Sequence, residues 1–233
     1  MKKILIFDLD GTLIDSNAEC VAILQEMLDE RRIKRRIDPA SSAPYMSLGG
    51  GKMVTALLGD ACIAPDEDLN EFRLRYAQRI TPADSLFDGV AIGLKHLKDK
   101  GFRLAICSNK PANLCRKVLG DTGLADYFCS IVGTSPGVRP KPAPDLLHLL
   151  LAEMGAEPHD CLFIGDSELD EAIAAVENIP FLLMRYGYGS ADWVPGDCVS
   201  FECFAELVDH IVTGQERQVP QEPVTHRVSI SDV

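Results

Sequence analysis

The chain has 233 residues, 46% of them hydrophobic and 25% charged, proportions that suit a globular protein able to bury a sizeable core. Its 35 acidic residues outnumber the 23 basic ones, and the formal charge of −12 argues against a general affinity for nucleic acid or for an anionic membrane. An anionic substrate would need a local positive site to offset that field. No apolar run approaches the ~20 residues of a membrane span. The basic opening Met1-Lys2-Lys3 precedes an apolar run that Asp8 and Asp10 interrupt too early for a signal peptide. The eight cysteines show no paired CxxC spacing, so reduced thiols in a cytoplasmic protein are expected rather than a disulfide framework or zinc site.

In chain order, residues 3–7 form a short apolar run that ends in Asp8-Leu9-Asp10-Gly11. Residues 16–85 carry mainly helical patterns, broken by Pro39, Pro44, Gly49-Gly50-Gly51 and Pro65. This stretch is too long for one crossover helix and reads as an inserted helical domain, hinged near Asp15 and Pro82. A helix over 89–100 places Val90, Leu94 and Leu97 on one face and stops at Gly101. The apolar run 102–107 ends in Ser108-Asn109-Lys110, where a strand-to-helix turn is expected, and 129–133 is a further candidate strand. Leu146, Leu147, Leu150 and Leu151 recur at helical spacing over 144–154. The run 161–165 ends in Asp166-Ser167, a short helix over 170–178 should turn Ile173 and Val176 inward, and 181–184 is the last candidate strand.

Short, nearly continuous apolar runs are what strands buried on both faces look like. Their alternation with helices predicts an α/β fold, a doubly wound parallel sheet of Rossmann type with an inserted helical cap. The expected division is a core over 1–15 and 86–213, a cap over 16–85 and a C-terminal extension over 214–233. Each run emits its polar residues at its carboxyl end, the edge at which open α/β sheets bind ligands.

Those polar residues can carry chemistry. Asp8 and Asp10, two apart in extended backbone, point the same way, and mutual repulsion lets one stay charged while the other holds a proton. They equally suit a hard divalent cation, and alone they could be a solvated turn or a helix cap. Ser108 and Asn109 could hold phosphate oxygens through a hydroxyl and backbone N–H groups, or be an ordinary loop. Lys141 is held between Pro140 and Pro142 and could neutralise a phosphate or orient a carboxylate. Asp166 could cap the next helix, and Asp170 could complement its dipole. Taken together, these four elements in this order at strand ends form a candidate site.

With these residues assembled, the chain resembles the haloacid dehalogenase-like hydrolase superfamily, in particular its phosphoglycolate phosphatase-like branch. The resemblance rests on Asp8-Leu9-Asp10-Gly11-Thr12-Leu13, Ser108-Asn109-Lys110, Lys141 and Gly165-Asp166-Ser167-Glu168-Leu169-Asp170, with Arg185-Tyr186-Gly187-Tyr188-Gly189 beyond the last core strand. It implies a Mg²⁺-dependent phosphatase that works through an aspartyl-phosphate. Asp8 would be the nucleophile and a metal ligand. Asp10 would be the general acid and base, with its backbone carbonyl on the metal. Ser108 and the Asn109 backbone would hold the phosphoryl group, Lys141 would neutralise charge, Asp166 would bind the metal, and Asp170 would support the metal or Lys141. The segment Leu48-Gly49-Gly50-Gly51-Lys52 matches the family's substrate-facing cap loop in place, and Lys52 is a candidate for binding an anionic group of the substrate.

The expected partner is a small phosphorylated metabolite, 2-phosphoglycolate first, with neither nucleic acid nor membrane involved and the chain a monomer or homodimer. Two alternatives stand beside this reading, a phosphosugar mutase of the same superfamily and a non-enzymatic phosphometabolite-binding protein. Outside the site, the basic run 31–36 reads as a solvated helix end, Cys107 as a buried apolar residue rather than a nucleophile, and Tyr186, Tyr188 and Trp193 as packing.

Overall fold

The structure, a computed structural model, describes residues 3–216. Six parallel strands form one sheet: β1 (Ile4–Phe7), β2 (Arg103–Pro111), β3 (Phe128–Thr134), β4 (Cys161–Gly165), β5 (Phe181–Met184) and β6 (Val199–Phe201). Their spatial order is β3-β2-β1-β4-β5-β6. The chain builds outward on one side of β1, then returns to add β4 on the other, so a switch in strand order falls beside β1. Ligands bind in the crevice at such a switch, because the connections leave in opposite directions and open a gap at the strand ends.

β1 shows why the parallel runs are apolar throughout. Leu5 and Phe7 pack into one cluster with Leu94 of helix α5 (Val90–Asp99) and Phe204 of helix α9 (Phe204–Glu216). Ile4 and Ile6 pack on the opposite face with Leu147 of α7 (Asp145–Met154) and Ile173 of α8 (Glu168–Val176). Both faces are covered, so alternation between polar and apolar residues is lost. Each fully buried Leu, Ile or Phe contributes roughly 1.5–3 kcal/mol.

Between β1 and β2 lie four helices before α5: α1 (Asn17–Glu30), α2 (Pro39–Met46), α3 (Gly50–Leu58) and α4 (Pro65–Gln78). Where this segment joins the core its two ends are paired. Asp15 N–H donates to the Ser85 carbonyl at 2.8 Å, Phe87 N–H donates to the Leu13 carbonyl at 3.1 Å, and Ile14 bridges Leu86. Helix α6 (Ala112–Asp121) follows β2 and covers β3.

Several local expectations change. β2 continues to Pro111, with an irregular register against β3 between Ser108 and Pro111, so Ser108 and Asn109 sit in the strand's last residues rather than in a turn. Helix α8 begins at Glu168, and Val176 is 47% exposed; Ala174 is buried beside Ile173 instead. The short helix can cover the sheet with only a narrow stripe, and Val176 falls outside it. The basic run is not merely solvated: Arg31 pairs with Asp68 and Glu71, and Arg35 donates to the Leu57 carbonyl, stitching α1 and its trailing loop to α3 and α4. β6 and α9 were not anticipated. The proposed extension over 214–233 lies outside the described residues beyond Glu216. Among the described residues no helix is long and apolar enough to cross a membrane.

Candidate active site

β1, β2 and β4 are neighbours, so the residues that follow them converge at one sheet edge. Asp8 leaves β1 and Asp166 leaves β4. Ser108 and Asn109 close β2, and Lys141 arrives on the loop before α7. All line one cleft enclosing about 740 Å³, including space open to solvent.

Lys141 is the hub. Its Nζ donates to Asp8 Oδ1 at 2.7 Å, to Asp170 Oδ1 at 2.6 Å and to the Cys107 carbonyl at 3.1 Å, with the residue only 5% exposed. Burial works against its charge, but Asp170 and Asp8 outweigh that cost and push its pKa above the usual lysine range. Asn109 holds the hub's backbone: its Oδ1 accepts the Lys141 N–H at 2.6 Å and its Nδ2 donates to the Lys141 carbonyl at 3.2 Å. Ser108 is buried, and its Oγ accepts the Lys110 N–H at 3.3 Å.

Asp170 completes the support. Its Oδ2 accepts from the Asp166 and Ser167 N–H groups and from the Ser167 hydroxyl, forming a capping box at the start of α8. The cap is therefore Ser167, which leaves Asp166 for another role. Asp166 receives the Thr12 hydroxyl at 2.8 Å and the Tyr188 N–H at 2.7 Å. Glycines make room for it. A Cβ on Gly11, whose φ is +88°, would lie 2.2 Å from Asp166 Oδ2, and one on Gly187 would lie 2.2 Å from Asp166 Cβ.

The acids strain against one another. Oxygens of Asp8, Asp166 and Asp170 lie within 4.8 Å. Burial raises Asp8 to about 6 even though Lys141 pulls it down, and burial with the charges of Asp170 and Asp8 drives Asp166 well above the carboxylate range. Among the described residues Lys141 is the one cation bonded to this cluster, and three buried carboxylates exceed its charge by two. An all-oxygen donor set with that deficit fits a hard divalent cation.

Asp10 sits apart from this cluster. Lys110 Nζ holds both of its oxygens, at 2.9 and 2.8 Å, and lies 4.4 Å from the centre of the Tyr76 ring on α4. Burial opposes this ammonium too, and Asp10 raises it well above its ordinary value. Sequence reasoning missed Lys110, although it directly follows Ser108-Asn109 at the strand end. The aromatic residues of the 186–193 segment do more than pack. Tyr186 donates to the Thr12 carbonyl at 2.7 Å and Tyr188 to Asp15 at 2.6 Å, bracing the turn after β1. Cys107 is fully buried and its thiol is pushed up to about 12, which leaves it unreactive.

Lys52 is not brought to the site. It lies exposed on α3, while Gly49, Gly50 and Met53 of the same segment line the cleft. A helix that starts at Gly50 turns its third residue away from the face that carries Met53.

A parallel sheet with acids gathered at its switch point, bridged by one buried lysine, is an arrangement of the α/β class that suits phosphoryl transfer. The family model for haloacid dehalogenase-like hydrolases matches residues 2–177, and the chain belongs to that family. It is 33% identical over 219 residues to a phosphoglycolate phosphatase of Rhodospirillum rubrum, covering 90% of each chain. It is 32% identical over 219 residues to another from Colwellia psychrerythraea, covering 89% of this chain and 96% of that one. A predicted phosphatase from Clostridium acetobutylicum shares the fold, with a TM-score of 0.76 at 24% identity over 91% of this chain and 99% of its own. The chain is a phosphoric monoester hydrolase of the phosphoglycolate phosphatase-like branch, and its substrate is a small phosphorylated compound.

Proposed function

We propose that the chain hydrolyses a small phosphomonoester such as 2-phosphoglycolate through an aspartyl-phosphate on Asp8. The observation that carries this reading is the buried Asp8 carboxylate at the end of β1, lining the cleft and held 2.7 Å from Lys141 Nζ. An Asp8 oxygen attacks phosphorus as the bond to the leaving oxygen breaks, and Asp10 gives that oxygen a proton. Water then attacks the aspartyl-phosphate. Asp10 takes the water's proton, the Asp8–phosphorus bond breaks, and inorganic phosphate leaves.

The chain's own groups stabilise these steps. Lys141 offsets the approach of two anions, and the Ser108 hydroxyl and Asn109 backbone receive the equatorial oxygens. Asp170 and the Asn109 side chain keep Lys141 in place. In the first half Asp10 must carry a proton, so its pair with Lys110 parts as substrate enters. In the second half the carboxylate form, as it is paired here, takes the proton of water. Asp8, the Asp10 carbonyl and Asp166, supported by Asp170, would hold Mg²⁺, which would screen the nucleophile from the phosphate's charge. The segment 16–85 acts as a cap on the core formed by 1–15 and 86–213, and the free thiols suit a reducing cytoplasm.

The test is acid-quench trapping of a phosphoenzyme from 2-phosphoglycolate, alongside phosphate release with Mg²⁺ and in chelator. Wild type should form an alkali-labile phosphoenzyme and release phosphate only with metal, and Asp8→Asn should do neither. Turnover by Asp8→Asn at wild-type rate, or full activity in chelator, would overturn the mechanism.

A further inference from the structure

Arg73 of α4 lines the same cleft from the cap side. Other cations of the cap are engaged: Arg31, Arg75 and Arg79 are ion-paired and Arg35 is hydrogen-bonded. Inside the cleft, Lys110 is taken by Asp10 and Lys141 by Asp8 and Asp170. Arg73 alone among the cations lining the cleft has no hydrogen-bond or ion-pair partner among the described residues. Burial is the sole influence on it and lowers its pKa, so its charge is partly desolvated without compensation. One turn along the same helix face, the buried Tyr76 hydroxyl also makes no hydrogen bond among the described residues.

A partly buried guanidinium without an anion is costly, and native structures keep few such groups unless a ligand completes them. Its surroundings set the ligand's shape. Met46, Met53, Leu69 and Phe72 line the cap side of the cleft, so the group between the two ends need not be polar. One unpaired guanidinium matches one carboxylate through two parallel N–H bonds. A second phosphate, with up to two charges, would remain half-neutralised on a chain of net charge −12.

We infer that Arg73 is the specificity residue that receives a carboxylate on the leaving group of the substrate, while the phosphoryl group lies against Asp8 at the sheet edge. This assignment rests on the phosphatase reading above and names the residue that selects a carboxylated ester within it. It also places the role first expected of Lys52 on the next helix.

The experiment compares wild type, Arg73→Met and Arg73→Lys on 2-phosphoglycolate, p-nitrophenyl phosphate and 1,3-propanediol bisphosphate. Arg73→Met should lower the ratio of kcat/KM for phosphoglycolate over the aryl phosphate roughly ten- to a hundredfold, the worth of a charge-assisted hydrogen bond. Arg73→Lys should recover part of that ratio, because it restores charge without the planar fork. An unmoved ratio overturns the assignment, and so does a loss confined to the bisphosphate. Calorimetric binding of phosphoglycolate and methyl phosphate to wild type and Arg73→Met gives a second reading that needs no turnover. There the preference for the carboxylated ligand should collapse in the variant, and its absence from wild type overturns the proposal. Failure of the phosphatase reading looks different: wild type then releases no phosphate from any of the three esters.

Discussion

The two walls of the cleft are built on opposite terms. At the sheet edge the charged groups are buried and hydrogen-bonded, though the acids outnumber the lysine among them, with Lys141 bridging Asp8 and Asp170, Asp170 closing the α8 cap, and Asp166 gripped by Thr12 and Tyr188. On the cap wall the side chains are mostly apolar, and among the described residues the one cation lining it, Arg73, is unpaired. Apart from the Asp10–Lys110 pair, the sheet edge has its geometry fixed before any substrate arrives, which is what transition-state stabilisation requires. The cap wall leaves its polar groups for the ligand, so its residues can alter selectivity without disturbing the chemistry.

The largest effect should come from breaking the sheet-edge wall at its hub. Lys141→Met strands Asp8 and Asp170 without a counter-charge, and removing one partner of a buried ion pair costs about 3–5 kcal/mol. Denaturant unfolding of the metal-free protein near neutral pH should show that loss, and phosphate release should fall by at least about a thousandfold. A variant with wild-type stability would mean that the cluster does not depend on the lysine.

A smaller effect separates repulsion from support within the same wall. The folded pKa of Asp8, about 6, lies above its unfolded value. The folded state therefore binds that proton more readily, and Asp8's contribution to stability rises as pH falls through the window from about 6 to 4. It is unfavourable above that window. In the metal-free protein, the Tm of Asp8→Asn relative to wild type should accordingly be higher at pH 7.5 than at pH 5, by a few degrees. Saturating Mg²⁺ at pH 7.5 should stabilise wild type more than the variant, because it binds only the folded acids. A Tm difference that ignores both pH and metal would contradict the charge deficit.

The smallest effect tests the cap wall. Lys52→Met should change the phosphoglycolate-to-aryl-phosphate selectivity less than about threefold, since an exposed lysine interacts weakly through solvent. A tenfold change would return specificity to α3.

Much of the sheet-edge wall was legible in the sequence. The apolar runs before Asp8, Ser108 and Asp166 mark strands covered on both faces, and parallel strands deliver their carboxyl ends to one edge, so distant motifs could be placed together. The cap wall was not legible in this way. Which residues of a helix face a cavity depends on how that helix rotates against its neighbours, and periodicity in a largely polar helix such as α4 leaves this open. Lys52 looked suitable beside its glycines, whereas Arg73 had no motif to mark it.

By itself, then, the sequence determined the order of the strands along the chain, the acids at their ends and the kind of chemistry they suit. Tertiary structure decided the partnerships: Lys110 with Asp10, Asp170 with both Lys141 and Ser167, Tyr188 with Asp166, and Arg73 with none among the described residues. The physical reason is range. Strand character and turn chemistry depend on residues a few positions apart, but a buried charge takes its state from whatever the fold packs against it, and here such a group can lie 154 residues away, as Thr12 does from Asp166.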